Sequence, residues 1–478
     1  MMLTGKALTG AAWLVMSRFM GRFIDLFTLI ILARILTPED FGLTALAMTL
    51  IMTADMVLEV PIIQALLRRQ HFDDEDLNTG FTLGLLRSLL FVVFIMCAAW
   101  PFAHFYGDMR LFPLMLVLSL GPFMRGLSSP AMVRFARHLS FRQTFIVEFS
   151  GKLAAFFVAV TIVQLGGGYW AIAANSVVAV TVSVIASYII APYCPSLSLT
   201  RFSHFASFTG WFSLNQILAA LNWQLDRILL GRFVDMPAFG KYVIATDLSA
   251  FSSQSVIGPA MQAVMAAFSS INTDRARIRQ AFMKVARFVL LVSAPVCVGL
   301  SVTADLVVLI VLGDQWMGAA PMLQILALAV LPTSYFQVFY SLSLALDRPS
   351  YLFQISLVEF VLRLLFIPAG LFLLAIDGVL YARLLIGLAM FVIYMLYVRR
   401  LGGIGIRAQL LNLWRVALAT ATMAAAVLLL RPELSLLALG PIAQLAILAA
   451  AGAAIYVVTL RVVGIRFSMT NGFGLREA

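Results

Sequence analysis

Apolar stretches of about 20 residues or more, the length a helix needs to cross the hydrocarbon layer, recur along this chain from Gly10 to Val462. Charged residues and Gly/Pro clusters interrupt them. Reading between those breaks predicts fourteen spans, at residues 10–36, 41–67, 79–103, 111–135, 142–165, 169–192, 205–233, 238–268, 281–302, 318–346, 350–374, 377–398, 411–430 and 437–462. Residues 303–317, TADLVVLIVLGDQWM, fit either an extension of the ninth span or a short separate piece. A transmembrane barrel would instead show alternating segments of about ten residues. The expected fold is therefore an all-α polytopic membrane protein. Its first apolar stretch is longer than a signal-peptide core of 7–15 residues and carries two arginines, so it reads as the first span.

The pattern repeats itself. At an offset of 198 residues, Trp13 falls on Trp211, LARILTPEDFG from Leu32 on LGRFVDMPAFG from Leu230, and PIIQAL from Pro61 on PAMQAV from Pro259. Beyond the LGDQW region the offset becomes 211: Glu148 meets Glu359, Lys152 meets Arg363, and Gly167 meets Gly378. Two copies of a six-span unit, plus two added spans, give a division into residues 1–200, 201–400 and 401–478. Six is even, so the copies share orientation. Parallel repeats of this kind bind substrate at the repeat interface near the membrane midplane.

Composition agrees with the span count: 478 residues, 62% hydrophobic and 12% charged, with mean hydropathy +1.00. The net charge of +11 is a topology signal rather than a sign of nucleic acid. Basic clusters at Arg68/Arg69, Arg134/Arg137/Arg142, Arg275/Arg277/Arg279, Arg399/Arg400/Arg407 and Arg461/Arg466 each follow an even-numbered span. Arg227, Arg232 and Lys241 around the outer end of the seventh span are the exception, outweighed by the excess on the other side. The positive-inside rule then puts both termini in the cytoplasm. The three cysteines have no CxxC spacing and the four histidines are scattered, so no metal ligand set is expected. A P-loop is absent, and no outer loop is long enough for a catalytic domain, so no catalytic residue is expected.

Ionisable residues inside spans face a protein interior or water and mark a pathway. The candidate substrate-binding bases are Arg18, Arg22, Arg87, Arg125, Lys152, Arg363 and Arg383; the candidate cavity or ion-coupling acids are Asp25, Glu148, Asp226 and Glu359. Glu148 with Lys152, and Glu359 with Arg363, share a helix face at i, i+4, and form either a polar cavity wall or mutually neutralised pairs that pin helices together. Arg18 and Arg22 are like charges one turn apart; Asp25 can neutralise one of them. With Asp55 and Glu59 set near the outer surface, the first half carries an excess of bases and favours an anionic guest over an organic cation. Arginine forks suit phosphate, so a diphosphate is a sensible ligand. Trp211, Trp223, Tyr335 and Tyr340 are candidates for stacking on sugars.

LARILTPEDFGLTALAMTLIM (from Leu32), PIIQALLRR (from Pro61), GGGYWAIAANS (from Gly166) and NWQLDRILLGRF (from Asn222) resemble the polysaccharide transporter family, the Wzx-type flippases of the multidrug/oligosaccharidyl-lipid/polysaccharide (MOP) superfamily. The resemblance implies two six-helix lobes with two further helices. It also implies flipping of an undecaprenyl-diphosphate-linked oligosaccharide across a bacterial inner membrane by alternating access, for exopolysaccharide, lipopolysaccharide or capsule synthesis. No cofactor is expected beyond H⁺ or Na⁺ coupling. Membrane lipids, a polysaccharide polymerase and export proteins are the expected partners. The alternatives are a cation-coupled drug antiporter, a membrane glycosyltransferase, polymerase or ligase, and a peptidoglycan lipid-precursor flippase.

Overall fold

Backbone groups in hydrocarbon have no water to bond, so each crossing must close its own hydrogen bonds as a helix. In the computed structural model the chain does so almost throughout. The description covers the backbone of residues 2–477 except 61, 69–71, 139, 272, 437–438 and 469–473. It covers their side chains except 2–12, 14–15, 64, 67–68, 203–216, 251–260, 262–263, 435 and 465–477.

The helices in order are α1 (Met2–Ile35), α2 (Pro38–Val57), α3 (Ile62–Arg68), α4 (Asp74–Tyr106), α5 (Leu111–Gly126), α6 (Met132–Arg137), α7 (Arg142–Gln164), α8 (Trp170–Ile190), α9 (Ser203–Phe233), α10 (Met236–Ser270), α11 (Arg275–Val302), α12 (Ala304–Val311), α13 (Ala320–Ala329), α14 (Leu331–Ala345), α15 (Ser350–Gly402), α16 (Ile406–Leu436) and α17 (Pro441–Val462). Each of the fourteen expected spans falls on one or two of them. The second, fourth and tenth spans are broken, as α2–α3, α5–α6 and α13–α14. The ambiguous stretch after the ninth span is a separate short helix, α12, followed by a 3₁₀ turn at Asp314–Ala319. Conversely, the eleventh and twelfth spans run on as α15, which leaves helical geometry at Leu374 and Ala375, the latter with φ of 51°. The chain folds back there, because Gly370 and Gly378 lie so close that a Cβ on either would strike the other's backbone. Among the described residues, nine helical stretches are long and apolar enough to cross a membrane by length and composition alone, and Leu111–Gly126 is a shorter apolar helix.

One departure from an all-helical chain lies at the C-terminus. Strands β1 (Ile465–Ser468) and β2 (Gly474–Glu477) pair antiparallel, with Ile465 opposite Glu477.

The chain forms two compact units, Met1–Gly240 and Lys241–Ala478. The sequence repeat turns over near residue 200, but α9 packs on α2 and so belongs to the first unit. Within that unit, α7 packs on α1 and α8, α8 on α5, and α5 on α4 and α2. In the second unit, α11 packs on α13, α14 and α16, and α16 pairs with α17.

The repeat has a physical trace inside the first unit. Gly42 and Gly240 are 198 residues apart. An added Cβ at Gly42 would strike the Met236 carbonyl, and one at Gly240 would strike the Pro38 carbonyl. Pro38 and Met236 are themselves 198 apart, so the crossing is reciprocal, as between equivalent ends of duplicated helices. Only glycine allows backbones this close. Gly240→Val should cost on the order of 1–3 kcal/mol through overpacking, read as a lower melting temperature in detergent. Gly121→Ala, where an added methyl meets nothing within 4 Å, should leave it unchanged.

Candidate functional site

α1 presents three kinds of surface because its polar residues repeat every three to four positions. Ser17, Gly21, Thr28 and Leu32 are buried against neighbouring helices. Phe19, Phe23 and Phe27 are 73%, 52% and 46% exposed on another face. At about 100° per residue, Arg18, Arg22 and Asp25 fall between the two, and all three are exposed. Arg22 lies about 20 Å along the helix from Ile35 at 1.5 Å per residue, within a hydrocarbon layer of about 30 Å.

α7 runs parallel to α1 and meets it rung by rung. The Trp13 and Phe145 rings are 5.4 Å apart, the Ser17 hydroxyl donates to Glu148 Oε2 at 2.6 Å, and Leu32, Leu36, Ala159 and Val163 close the far end with Ala171 of α8. Midway, Lys152 Nζ donates to Asp25 Oδ2 at 2.5 Å and to the Gly21 carbonyl at 3.2 Å. Gly21 makes this possible, since an added Cβ would sit 3.3 Å from Nζ.

This changes the expected pairing. Among the described residues Glu148 and Lys152 form no ion pair; both reach across to α1. Lys152 engages Asp25, so neither Arg18 nor Arg22 makes an ion pair among the described residues. The equivalent pair in the repeat does close within its own helix: Arg363 Nε and Nη2 donate to Glu359 Oε1 at 2.9 and 2.7 Å on α15. The difference is local. α1 offers Asp25 and a glycine gap to Lys152 and the Ser17 hydroxyl to Glu148, whereas Arg363 keeps Glu359 one turn away.

A second polar knot joins α2, α4 and α5. Asp55 binds Arg87 through one carboxylate oxygen and Arg125 Nη1 through the other, at 2.7 Å. Arg87 also donates to the backbone carbonyls of Leu58 at 3.1 Å and Asp55 at 2.8 Å. Asp55 was expected near the outer surface, apart from these bases; it lies between them. The alternation of span direction carried the signal, because the C-terminal part of the second span descends to the membrane face from which Arg87 and Arg125 are reached. Two bases assigned to an anionic ligand are thus tied to a carboxylate, and the excess of positive charge in the first half rests more heavily on α1.

The remaining candidates are dispersed. Asp226 and Arg227 on α9 are 2% and 7% exposed, and both are engaged by neighbours. Arg383 on α15 is half-buried and likewise engaged. Of the aromatic candidates, Tyr335 is buried with its hydroxyl donating to Gln409 Oε1 at 2.5 Å, which removes it from any sugar platform. Trp223 and Tyr340 are exposed, and the Trp211 side chain lies outside the described residues.

Removing one partner of a buried ion pair costs about 3–5 kcal/mol. Asp55→Asn, which strands Arg87 with its side chain 12% exposed, should approach that loss. Arg125→Gln, at a side chain 57% exposed, should cost less than about 1 kcal/mol. Thermal denaturation of the two purified variants checks the order.

The family model described as "Polysaccharide biosynthesis protein" matches residues 31–321. The succinoglycan biosynthesis transport protein ExoT of Rhizobium meliloti is 26% identical over 325 residues, covering 66% of this chain and 65% of that protein, so the matched length is just under two thirds of the relative. The lipopolysaccharide biosynthesis protein WzxC of Escherichia coli is 24% identical over 426 residues, 87% of this chain and 85% of that protein. Among solved structures, the lipid II flippase MurJ in its inward closed conformation aligns with a TM-score of 0.70 at 14% identity, covering 95% of this chain and 98% of that one. An inward-facing multidrug resistance MATE family transporter of the MOP superfamily aligns at 0.62 and 13% identity, covering 81% and 98%. The chain shares the fold of both solved structures.

Proposed function

The chain belongs to the polysaccharide biosynthesis protein family, and from that premise we propose that it flips a polyprenyl-diphosphate-linked oligosaccharide across a bacterial inner membrane by alternating access, with no covalent chemistry. The observation that supports this reading best is the pair of exposed arginines on α1, which make no ion pair among the described residues while Asp25 on the same helix is engaged by Lys152. Two planar guanidinium groups one turn apart offer forked donors to both phosphates of a diphosphate. The exposed Phe19, Phe23 and Phe27 stripe beside them gives an apolar bed for the start of a prenyl tail. A cationic drug would meet like charge on the same helix, which disfavours the antiporter reading.

Lys152 is the third base of this site. Its bond to Asp25 holds it in reserve: protonation of Asp25, or Na⁺ at its carboxylate, would release the ammonium toward an anion, and we assign H⁺ or Na⁺ coupling to this pair. Both termini would face the cytoplasm, and a polymerase and export proteins would receive the flipped unit.

The test uses a strain deleted for its own polysaccharide flippase. The wild-type chain should restore polymer export and clear the accumulated lipid-linked precursor. Arg18→Ala and Arg22→Ala should each lower export about tenfold or more at normal protein level, since hydrogen bonds to charged groups are worth about 1.5–3 kcal/mol. Unchanged export in both variants would sink the cationic site. Rescue of a strain starved of its peptidoglycan precursor flippase, with no rescue of polymer export, would favour the lipid II reading instead.

A further inference from the structure

A second basic site lies within the unit Lys241–Ala478. α11 opens unlike an ordinary span. Its first thirteen residues, RARIRQAFMKVAR, hold Arg275, Arg277, Arg279, Lys284 and Arg287 and no acid. The one carboxylate at hand, Asp274, caps the helix through the backbone N–H groups of Ala276 and Arg277, both at 3.0 Å, and pairs with the Arg277 side chain at 3.2 Å. Arg277, unlike the other four bases, does not line the adjacent cavity.

Those others line a cavity of about 810 Å³ between the start of α11, the end of α15 at Gly402 and Gly403, and Asn412 of α16. Arg275, Arg279, Lys284 and Arg287 contribute to its wall, and no carboxylate does. Arg275, Arg279 and Lys284 make no ion pair among the described residues. The deep end is built. Arg287 Nε and Nη2 donate to Asn412 Oδ1 at 2.9 and 2.6 Å, Asn412 Nδ2 donates to the Met283 carbonyl at 2.8 Å, and Asn412 is 5% exposed.

We infer that this cavity binds a phosphate-bearing anion, the headgroup of an anionic phospholipid in the leaflet that the charge bias assigns to the cytoplasm. Concentrated Arg and Lys with no acid select negative charge, and a volume within the range of about 300–1,000 Å³ usual for ligand pockets holds a glycerophosphate group. Basic pockets between transmembrane helices on this membrane face suit lipid headgroups. Apolar side chains next to the lining residues favour a lipid over a soluble anion: Phe288, beside Arg287 on α11, is 38% exposed, and Leu411, beside Asn412 on α16, is 59% exposed. Acyl chains would lie against them. The site is independent of the transport reading.

The experiment places the full chain in phosphatidylcholine nanodiscs and titrates phosphatidylglycerol, reading lipid retention by native mass spectrometry and the melting temperature. The wild type should retain phosphatidylglycerol and melt higher as it is added. The double variant Arg279→Gln/Lys284→Gln should lose more than tenfold in retention, at about 1 kcal/mol per surface base. Arg277→Gln, outside the wall, should behave as wild type, and Arg279→Lys should keep most of the effect. Inorganic pyrophosphate should not displace the lipid. If pyrophosphate alone raises the melting temperature through Arg279 and Lys284 while phosphatidylglycerol acts no differently from phosphatidylcholine, the lipid assignment is overturned. If neither probe depends on those two residues, the site itself is.

Discussion

A charge inside the hydrocarbon layer must find a partner, a wet surface or a ligand, and the first unit is organised by how that demand is met. Lys152 on α7 meets it across the seam, on Asp25 of α1. The consequence runs in two directions. The bond fixes α1 against α7 midway along their contact, between an aromatic contact at one end and an aliphatic cluster at the other. It also withdraws the carboxylate that would otherwise neutralise Arg22, so that structural pairing and a net positive surface arise from the same interaction.

The Asp55 knot shows the opposite outcome. There one carboxylate serves two arginines from two helices, and the backbone carbonyls of Leu58 and Asp55 complete the hydrogen bonds of Arg87. A group satisfied on that many sides is a brace for α2, α4 and α5. Comparing the two knots separates bases that hold helices from bases available to an anion, a distinction that residue type and depth in the membrane leave open.

Duplication imposes a second constraint, visible where equivalent helix ends meet. Gly42 and Gly240 exchange the same close approach with Met236 and Pro38. Elsewhere the copies have diverged: the acid–base pair that the repeat aligns is split between helices in the first copy and closed within α15 in the second. The acid and base that the repeat aligns thus make different contacts in the two copies, and α1 supplies a glycine gap and an acid to the first.

Hydrophobic period by itself determined the helical class and the approximate places of the spans, because the hydrocarbon thickness acts on every crossing through length and polarity alone. The resemblance in LARILTPEDFG likewise pointed to the family that the comparison with relatives bears out. Only the tertiary structure decided which charges meet. That Lys152 leaves Glu148 for Asp25, that Asp55 joins Arg87 and Arg125, and that Tyr335 turns to Gln409 depend on which helix faces are apposed. Facing is a rotation about each helix axis, and a run of apolar residues long enough to span the membrane is nearly uniform around that axis. The same holds for the cavity beside α11, whose walls come from helices more than a hundred residues apart: chain order places the bases, and packing alone brings Asn412 beneath them.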